Sequence, residues 1–169
     1  MTPEVSLGLI ILRLAFGLTL AAHGAQKMFG LFEGPGLEGF AGMLGKVGVR
    51  PQRPFAIAAA GGELVGGLLV ALGFLMPVGP LVVAAGMVVA IVTVHLQRGF
   101  WNSAGGYELP FLVAAAMIGL SFTGPGAVSL DYFTGLELPE PTTWIIVAIL
   151  AGLGAAAALA SRLSRRAIA

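Results

Sequence analysis

Apolar residues run along this chain in long stretches separated by short polar or glycine-rich segments. Each stretch is close to the roughly 20 residues that cross a bilayer as a helix. In lipid the backbone groups must be paired within the structure, which helices achieve and isolated strands do not. The pattern therefore predicts an all-α membrane protein with transmembrane spans at about residues 5–29, 54–76, 81–97, 107–122 and 142–161.

The segments between the spans add detail to this prediction. Residues 34–49, GPGLEGFAGMLGKVGV, carry apolar residues at helical spacing over too short a length to cross the bilayer, which indicates a short interfacial helix. Pro77 and Pro80 bracket a very short turn, so the second and third spans should be antiparallel neighbours. We expect a four-helix membrane domain at 1–131. An acidic loop, a fifth transmembrane helix and a basic tail should follow at 132–169.

Composition agrees with a membrane location and excludes several functions. Of 169 residues, 57% are hydrophobic and only 10% are charged, far below the roughly 25% charged residues of soluble domains. The chain has no cysteine, which excludes disulfides and thiol catalysis. A net charge of +1 gives no sign of a nucleic-acid partner.

Lysine and arginine are distributed unevenly between the two sides that five spans define. The side with the first and third loops and the C-terminus carries Lys27, Lys46, Arg50, Arg53, Arg98, Arg162, Arg165 and Arg166. The loops of the other side carry acidic residues and no basic ones. The positive-inside rule therefore predicts an N-terminus outside and a C-terminus in the cytoplasm.

Ionisable residues inside spans are costly, so by default they face the interior of the bundle or a cavity. Glu63 is the most deeply placed carboxylate, inside AAAGGELVGGLLVALGF. We predict that it pairs with Lys27, Arg13 or a histidine, or takes part in function, because an unpaired carboxylate there would be protonated. The surrounding glycines should let the second span approach the first closely.

Four blocks of the sequence together resemble a known family. They are LRLAFGLTLAAHGAQKMFG, GPGLEGFAGMLGKVG, GGELVGGLLVALGFLMPVG and TVHLQRGFWNSAGGYELPFLVAAAMIGLSFTGPGAVSLD. They are similar to the successive blocks of the DoxX family of small bacterial membrane proteins, over about residues 7–131. The resemblance implies a four-helix bundle in the bacterial inner membrane and an association with redox chemistry. Relatives serve as the membrane subunit of thiosulfate:quinone oxidoreductase, and others are linked to quinone or catechol detoxification or to oxidative-stress complexes.

The polar residues near the predicted cytoplasmic face are compatible with a quinone site. A quinone headgroup needs hydrogen-bond donors or proton carriers at its carbonyls and an apolar opening for its tail. The candidates for catalytic proton exchange are Glu63, His23 and Glu108. The candidates for ligand binding are Lys27, Gln26, His95, Asn102, Tyr107 and Arg13. This interpretation makes the chain the membrane subunit of a quinone-linked oxidoreductase, beside a protein partner that donates electrons.

Two other functions stay open at the level of sequence. The polar cluster could be a hydrogen-bonded strut in an accessory subunit that has no ligand of its own. Alternatively, His23 and His95 could ligate haem b, or bind iron together with Glu63. Besides the lipid bilayer and a partner subunit, a second copy of the chain is a further candidate partner.

Overall fold

The computed structural model describes the backbone of residues 1–163 and the side chains of residues 1–161, and every regular element in this part of the chain is helical. The α-helices are α1 Pro3–Phe29, α2 Gly36–Lys46, α3 Gln52–Leu72, α4 Val78–Ala90, α5 Glu108–Thr123, α6 Leu130–Thr134 and α7 Thr142–Leu163. The predicted all-helical membrane fold is confirmed. The short α2 lies where an interfacial helix was expected.

Four of these helices are long and apolar enough to cross a membrane. They are α1, α3, α7 and the continuous helical segment Val78–Arg98, in which α4 runs on through a π-helical turn at Ile91–His95. The fifth predicted span corresponds in order to α7, whereas the fourth is the shorter α5, with 16 residues.

Local sequence signals set the ends of the long helices. Thr2 caps α1, its hydroxyl accepting from the amide of Val5, and Pro3 occupies the first turn. Gly30 ends α1 in the left-handed conformation, and Gly73 ends α3 in the same way. Glycine adopts this conformation without the steric penalty that a Cβ atom would bring.

Helices α1 and α3 pack together more extensively than any other pair of helices in the described part of the chain. A Cβ added to Gly67 would lie 2.5 Å from the backbone nitrogen of Ala21, and one added to Gly24 would lie 2.3 Å from that of Leu64. The residue numbers fall along α3 as they rise along α1, so the two helices are antiparallel. The expectation that glycines bring these helices together is confirmed for Gly67.

Two other glycines of α3 face a different helix. A Cβ on Gly66 would lie 2.9 Å from the Val83 side chain, and one on Gly62 would meet Val82 at 3.4 Å, so these two glycines face α4. The core beneath them joins apolar side chains of α1, α3, α4 and α5, including Leu20, Val70 and Met117.

Helix α7 is attached to the outside of this bundle. Only 6% of its most apolar window is buried, compared with 33% to 39% in the other three long helices, and it packs mainly against α4. The backbone amide of Arg50 lies 3.3 Å from the Ser161 hydroxyl, so the α2–α3 connection and the end of α7 lie at the same end of the molecule. Of the predicted basic tail, Arg165 and Arg166 lie outside the described residues, as does the Arg162 side chain.

The two ends of the bundle differ in the charge of their connections. The basic end holds the α1–α3 and α4–α5 connections, with Lys46, Arg50, Arg53 and Arg98. The acidic end holds the α3–α4 connection and residues 124–141, with Asp131, Glu137 and Glu140.

Candidate functional site at the basic end

A partly buried ion pair joins α1 to α3 near the basic end. The Nζ atom of Lys27 lies 2.5 Å from each carboxylate oxygen of Glu63, so one ammonium group bridges both oxygens. The Glu63 side chain is 9% exposed and that of Lys27 is 27% exposed. The predicted pairing of Glu63 is thereby confirmed, with Lys27 as its partner.

Helix α2 places an aromatic ring beside this pair. The Phe40 ring centre lies 5.2 Å from Lys27 Nζ, within the range of a cation–π contact. Because α2 packs against both α1 and α3, it lies beside the ends of the two helices that supply the ion pair. A second ion pair, between Glu38 of α2 and Arg53 of α3, has an N–O distance of 3.0 Å and is largely exposed.

His23 and Gln26 form a separate polar group on α1. The amide nitrogen of Gln26 donates to the carbonyl of Phe32 at 3.2 Å, which leaves its oxygen to face His23 Nδ1 at 3.1 Å. An amide oxygen only accepts, so Nδ1 carries the proton and Nε2 is the ring atom with a lone pair in the neutral form. His23 is exposed, whereas Gln26 is half-buried.

His95 lies at the end of the π-helical turn and binds the α4–α5 connection. Its Nδ1 lies 2.8 Å from the carbonyl oxygen of Gly105, so Nδ1 donates and Nε2 again carries the lone pair. In this half-buried position His95 fixes the loop that follows it. π-Helical turns within α-helices are frequent at functional sites.

The remaining predicted residues organise the same connection. A carboxylate oxygen of Glu108 accepts a hydrogen bond from the backbone amide of Asn102 at 2.9 Å. The Tyr107 ring packs edge to face on Phe100, with 5.4 Å between ring centres. Asn102 is exposed, and Glu108 and Tyr107 are half-buried. These contacts shape the loop between α4 and α5.

The predicted residues of the basic end therefore form three local groups. These are Lys27 with Glu63, His23 with Gln26, and His95 with the α4–α5 connection. Among the described side chains, no hydrogen bond links one group to another. Nor does any set of three histidine, aspartate or glutamate side chains within the described residues lie close enough to hold a metal ion. The set of His23, His95 and Glu63 is thus not assembled here as an iron site.

Arg13 lies apart from all three groups. It precedes Lys27 by 14 residues on the same helix, about 21 Å at 1.5 Å per residue. Arg13 is 1% exposed, and its guanidinium donates to the carbonyls of Pro125 and Val128 at the acidic end. The structure therefore separates Arg13 from the other residues predicted to bind the ligand.

Sequence reasoning did not connect Arg13 with Asp131. The Asp131 carboxylate, 5% exposed, interacts electrostatically with Arg13 and accepts from the amides of Leu75 and Met76, each at 2.9 Å. A signal was present, because a buried arginine needs a counter-charge and the acidic end offers few carboxylates. Asp131 ties residues 125–134 to the α3–α4 turn.

The sequence matches a known protein family over more than half of its length. The family model described as DoxX matches residues 8–96. The chain belongs to the DoxX family. The DoxX match includes both members of the Lys27–Glu63 pair and His95, whereas Glu108 and Asp131 lie beyond it.

One relative supports the same assignment over a longer stretch. The Bacillus subtilis (strain 168) protein named "Putative oxidoreductase CatD" is 30% identical over 133 residues, which cover 79% of this chain and 91% of that protein. No solved structure gives a significant match to the chain.

Proposed function

We propose that this DoxX protein is the membrane subunit of a quinone-linked redox system and binds a quinone-like ligand beside Lys27 and Glu63 at the basic end. The observation that carries the proposal is the partly buried ion pair with the Phe40 ring against it. It combines a hydrogen-bond donor, a proton acceptor and an aromatic surface within the membrane-spanning part of the chain. The name of the Bacillus relative, an oxidoreductase, is in keeping with this chemistry.

The residues present fit a ligand with carbonyl oxygens. Lys27 has three N–H donors and keeps 27% of its side chain exposed, so its ammonium can also donate to a ligand oxygen. Glu63 accepts from that ammonium with both carboxylate oxygens and so holds it in position for the contact. When bound, a quinone supplies reversible uptake of electrons and protons, while the protein orients it and exchanges the protons.

His23, His95 and Glu108 are proposed as groups that connect the site to water. Each histidine has a tautomer that leaves Nε2 free to accept a proton. The electrons would come from a partner subunit, since a chain without cysteine has no thiol pair to supply them. We place the basic end at the cytoplasmic face of the bacterial inner membrane, as the positive-inside rule suggests.

Binding of a short-chain ubiquinone analogue to the purified protein in lipid nanodiscs tests the proposal. We expect Glu63→Gln and Lys27→Gln each to weaken binding at least about tenfold, the effect of losing a hydrogen bond to a charged group. Glu38→Gln is the matched control, because it removes the exposed ion pair at the same end. Unchanged binding in both site variants, with folded protein, would refute the quinone site.

A structural role is the second candidate, and a specific observation favours it. Every predicted polar side chain of the three groups, apart from the hydroxyl of Tyr107 and the side-chain amide of Asn102, already has a partner within the chain. If the pair is only a strut, Glu63→Gln should lower thermal stability while binding per folded molecule stays the same. The visible absorption spectrum of the oxidised and reduced protein tests the haem alternative. Only bound haem gives a Soret band that depends on His23 or His95.

A further inference from the structure

A groove of about 480 Å³ opens at the acidic end, between the start of α1 and the segment that follows α5. Its walls are apolar side chains of Pro3, Leu7 and Ile10 on one side and of Ala127 and Val128 on the other. Arg13 holds the second wall in place by donating to the carbonyl of Val128. The groove is therefore a built feature of the fold rather than a gap between mobile segments.

One polar atom in this groove has no partner among the described residues. Ser6 lines the groove and is 6% exposed, and its Oγ atom makes no hydrogen bond to any of these residues, although the Ser6 amide donates to the carbonyl of Thr2. A buried hydroxyl without a partner costs free energy, most of all in a membrane, where water is scarce. The hydroxyl is thus available to a molecule that brings an oxygen acceptor into an apolar groove.

The depth of Ser6 indicates which molecule that is. Ser6 is in the first turns of α1, and at the same end Trp144 stacks on Phe122, with 4.2 Å between ring centres. Tryptophan marks the membrane–water interface, where the ester carbonyls of phospholipids also lie. A molecule whose oxygen sits at that level and whose chain runs inward along Leu7 and Ile10 has the shape of a phospholipid.

We infer that this groove binds a phospholipid acyl chain, with the Ser6 hydroxyl donating to the ester carbonyl. Charge selects the headgroup. Glu4 is exposed in the first turn of α1, about 160° around the helix from Ser6, and the same end carries Glu137 and Glu140, so the charge near the headgroup level of this end is negative. These carboxylates repel an anionic headgroup and attract the ammonium of phosphatidylethanolamine. The bound lipid is therefore zwitterionic, at a site separate from the Lys27–Glu63 pair.

Photo-crosslinking tests this inference in vesicles of phosphatidylethanolamine and phosphatidylglycerol. A trace of phosphatidylethanolamine carries a diazirine on the first carbons of its acyl chain, and the labelled residues are mapped by mass spectrometry. We expect labels to concentrate at residues 6–10 and 127–128, and to fall about fivefold in Ser6→Ala, the effect of losing one hydrogen bond. The same probe on phosphatidylglycerol should label these residues less.

A matched pair of variants distinguishes a bound lipid from the general lipid annulus. Ser6→Leu fills the groove, whereas Gly8→Leu adds the same side chain where a Cβ meets nothing within 4 Å. Only Ser6→Leu should abolish the labelling. Even labelling along the exposed face of α1, or labelling that Ser6→Ala and Ser6→Leu leave unchanged, would overturn the inference.

Discussion

Lys27 and Glu63 meet across the contact between α1 and α3, with Lys27 Nζ at 2.5 Å from both oxygens of the carboxylate. Gly24 packs against the backbone of Leu64 in the adjoining turn, so the helices approach closely beside the pair. The distance between these helices and the geometry of the pair are therefore coupled. A substitution that changes the distance between the helices should therefore also change the geometry of the ion pair, and the reverse should hold.

Removing both members of the pair should cost less than the sum of removing each one alone. Glu63→Leu leaves the Lys27 ammonium without its carboxylate. We expect a loss of about 1 to 3 kcal/mol in the free energy of unfolding. This is less than for a fully buried pair, because Lys27 is partly exposed. The double variant Lys27→Met with Glu63→Leu should lose less than the sum of the single variants. Denaturant unfolding in detergent, followed by circular dichroism, measures all three.

The exposed pair of Glu38 and Arg53 is the control for this cycle. Its side chains are 78% and 67% exposed, and breaking it should change the free energy of unfolding by less than about 1 kcal/mol. Strict additivity of the Lys27 and Glu63 variants would show that the two side chains do not stabilise each other.

Gly67→Ala should destabilise the contact between α1 and α3. The added Cβ would lie 2.5 Å from the Ala21 nitrogen and 2.7 Å from the Gly17 carbonyl oxygen, both of which are backbone atoms that cannot rotate away. We expect a loss of about 1 to 3 kcal/mol and a weaker Lys27–Glu63 pair. The midpoint of thermal unfolding in detergent provides the measurement.

Gly119→Ala is the matched control, since a Cβ there meets nothing within 4 Å. Alanine is the better helix former, so this variant should be neutral or stabilised by up to about 1 kcal/mol. Equal effects of Gly67→Ala and Gly119→Ala would contradict the close helix contact.

The Asp131 carboxylate should control the order of the α3–α4 turn. Asp131→Ala removes the acceptor of the Leu75 and Met76 amides and the charge beside Arg13. We expect faster hydrogen exchange at these two amides and a loss of about 1 to 3 kcal/mol, the cost of leaving buried donors unsatisfied. Exchange measured by mass spectrometry on peptides that cover residues 70–80 provides the readout.

Glu137→Ala, in the same connection but exposed, is the control for this variant. It should leave the exchange of the turn unchanged. If Asp131→Ala exchanges no faster than Glu137→Ala, the carboxylate does not hold the turn.

Much of the fold followed from hydropathy, and the need of Glu63 for a cationic partner followed from electrostatics. The long apolar stretches predicted the spans because lipid leaves few alternatives to a helix. A buried carboxylate requires a nearby cation, and Lys27 was among the few available. Both conclusions depend on the composition of local segments, which the sequence displays directly.

The facing of side chains around α1 was harder to predict. At 100° per residue His23 lies about 80° from Arg13 on the helical wheel, and Lys27 about 40° from it. Lys27 lies within the face of α1 that packs against the neighbouring helices, whereas His23 lies at the edge of that face and is exposed. Helical periodicity gives the angles between side chains, but the width of the packed face of α1 depends on the neighbouring helices.

The partner of Arg13 depends on tertiary structure in the same way. Residues 125–131 come back over the start of α1 and the end of α3, more than 100 positions after Arg13. The sequence shows that a buried arginine needs a counter-charge, but it does not show that these two segments approach each other.

Side-specific labelling of introduced cysteines should determine which end faces the cytoplasm. The natural chain has no cysteine, so Glu38→Cys, Asn102→Cys and Glu137→Cys each provide a single reactive thiol at an exposed position. With a maleimide that cannot cross the membrane, we expect Glu137→Cys to react in intact cells from the outside, and the other two only after the membrane is opened. Labelling after detergent treatment controls for the reactivity of each thiol. Reaction of Glu38→Cys from the outside would reverse the orientation and move the Lys27–Glu63 pair to the outer half of the membrane. A quinone site there would then have to exchange protons with the outer solution.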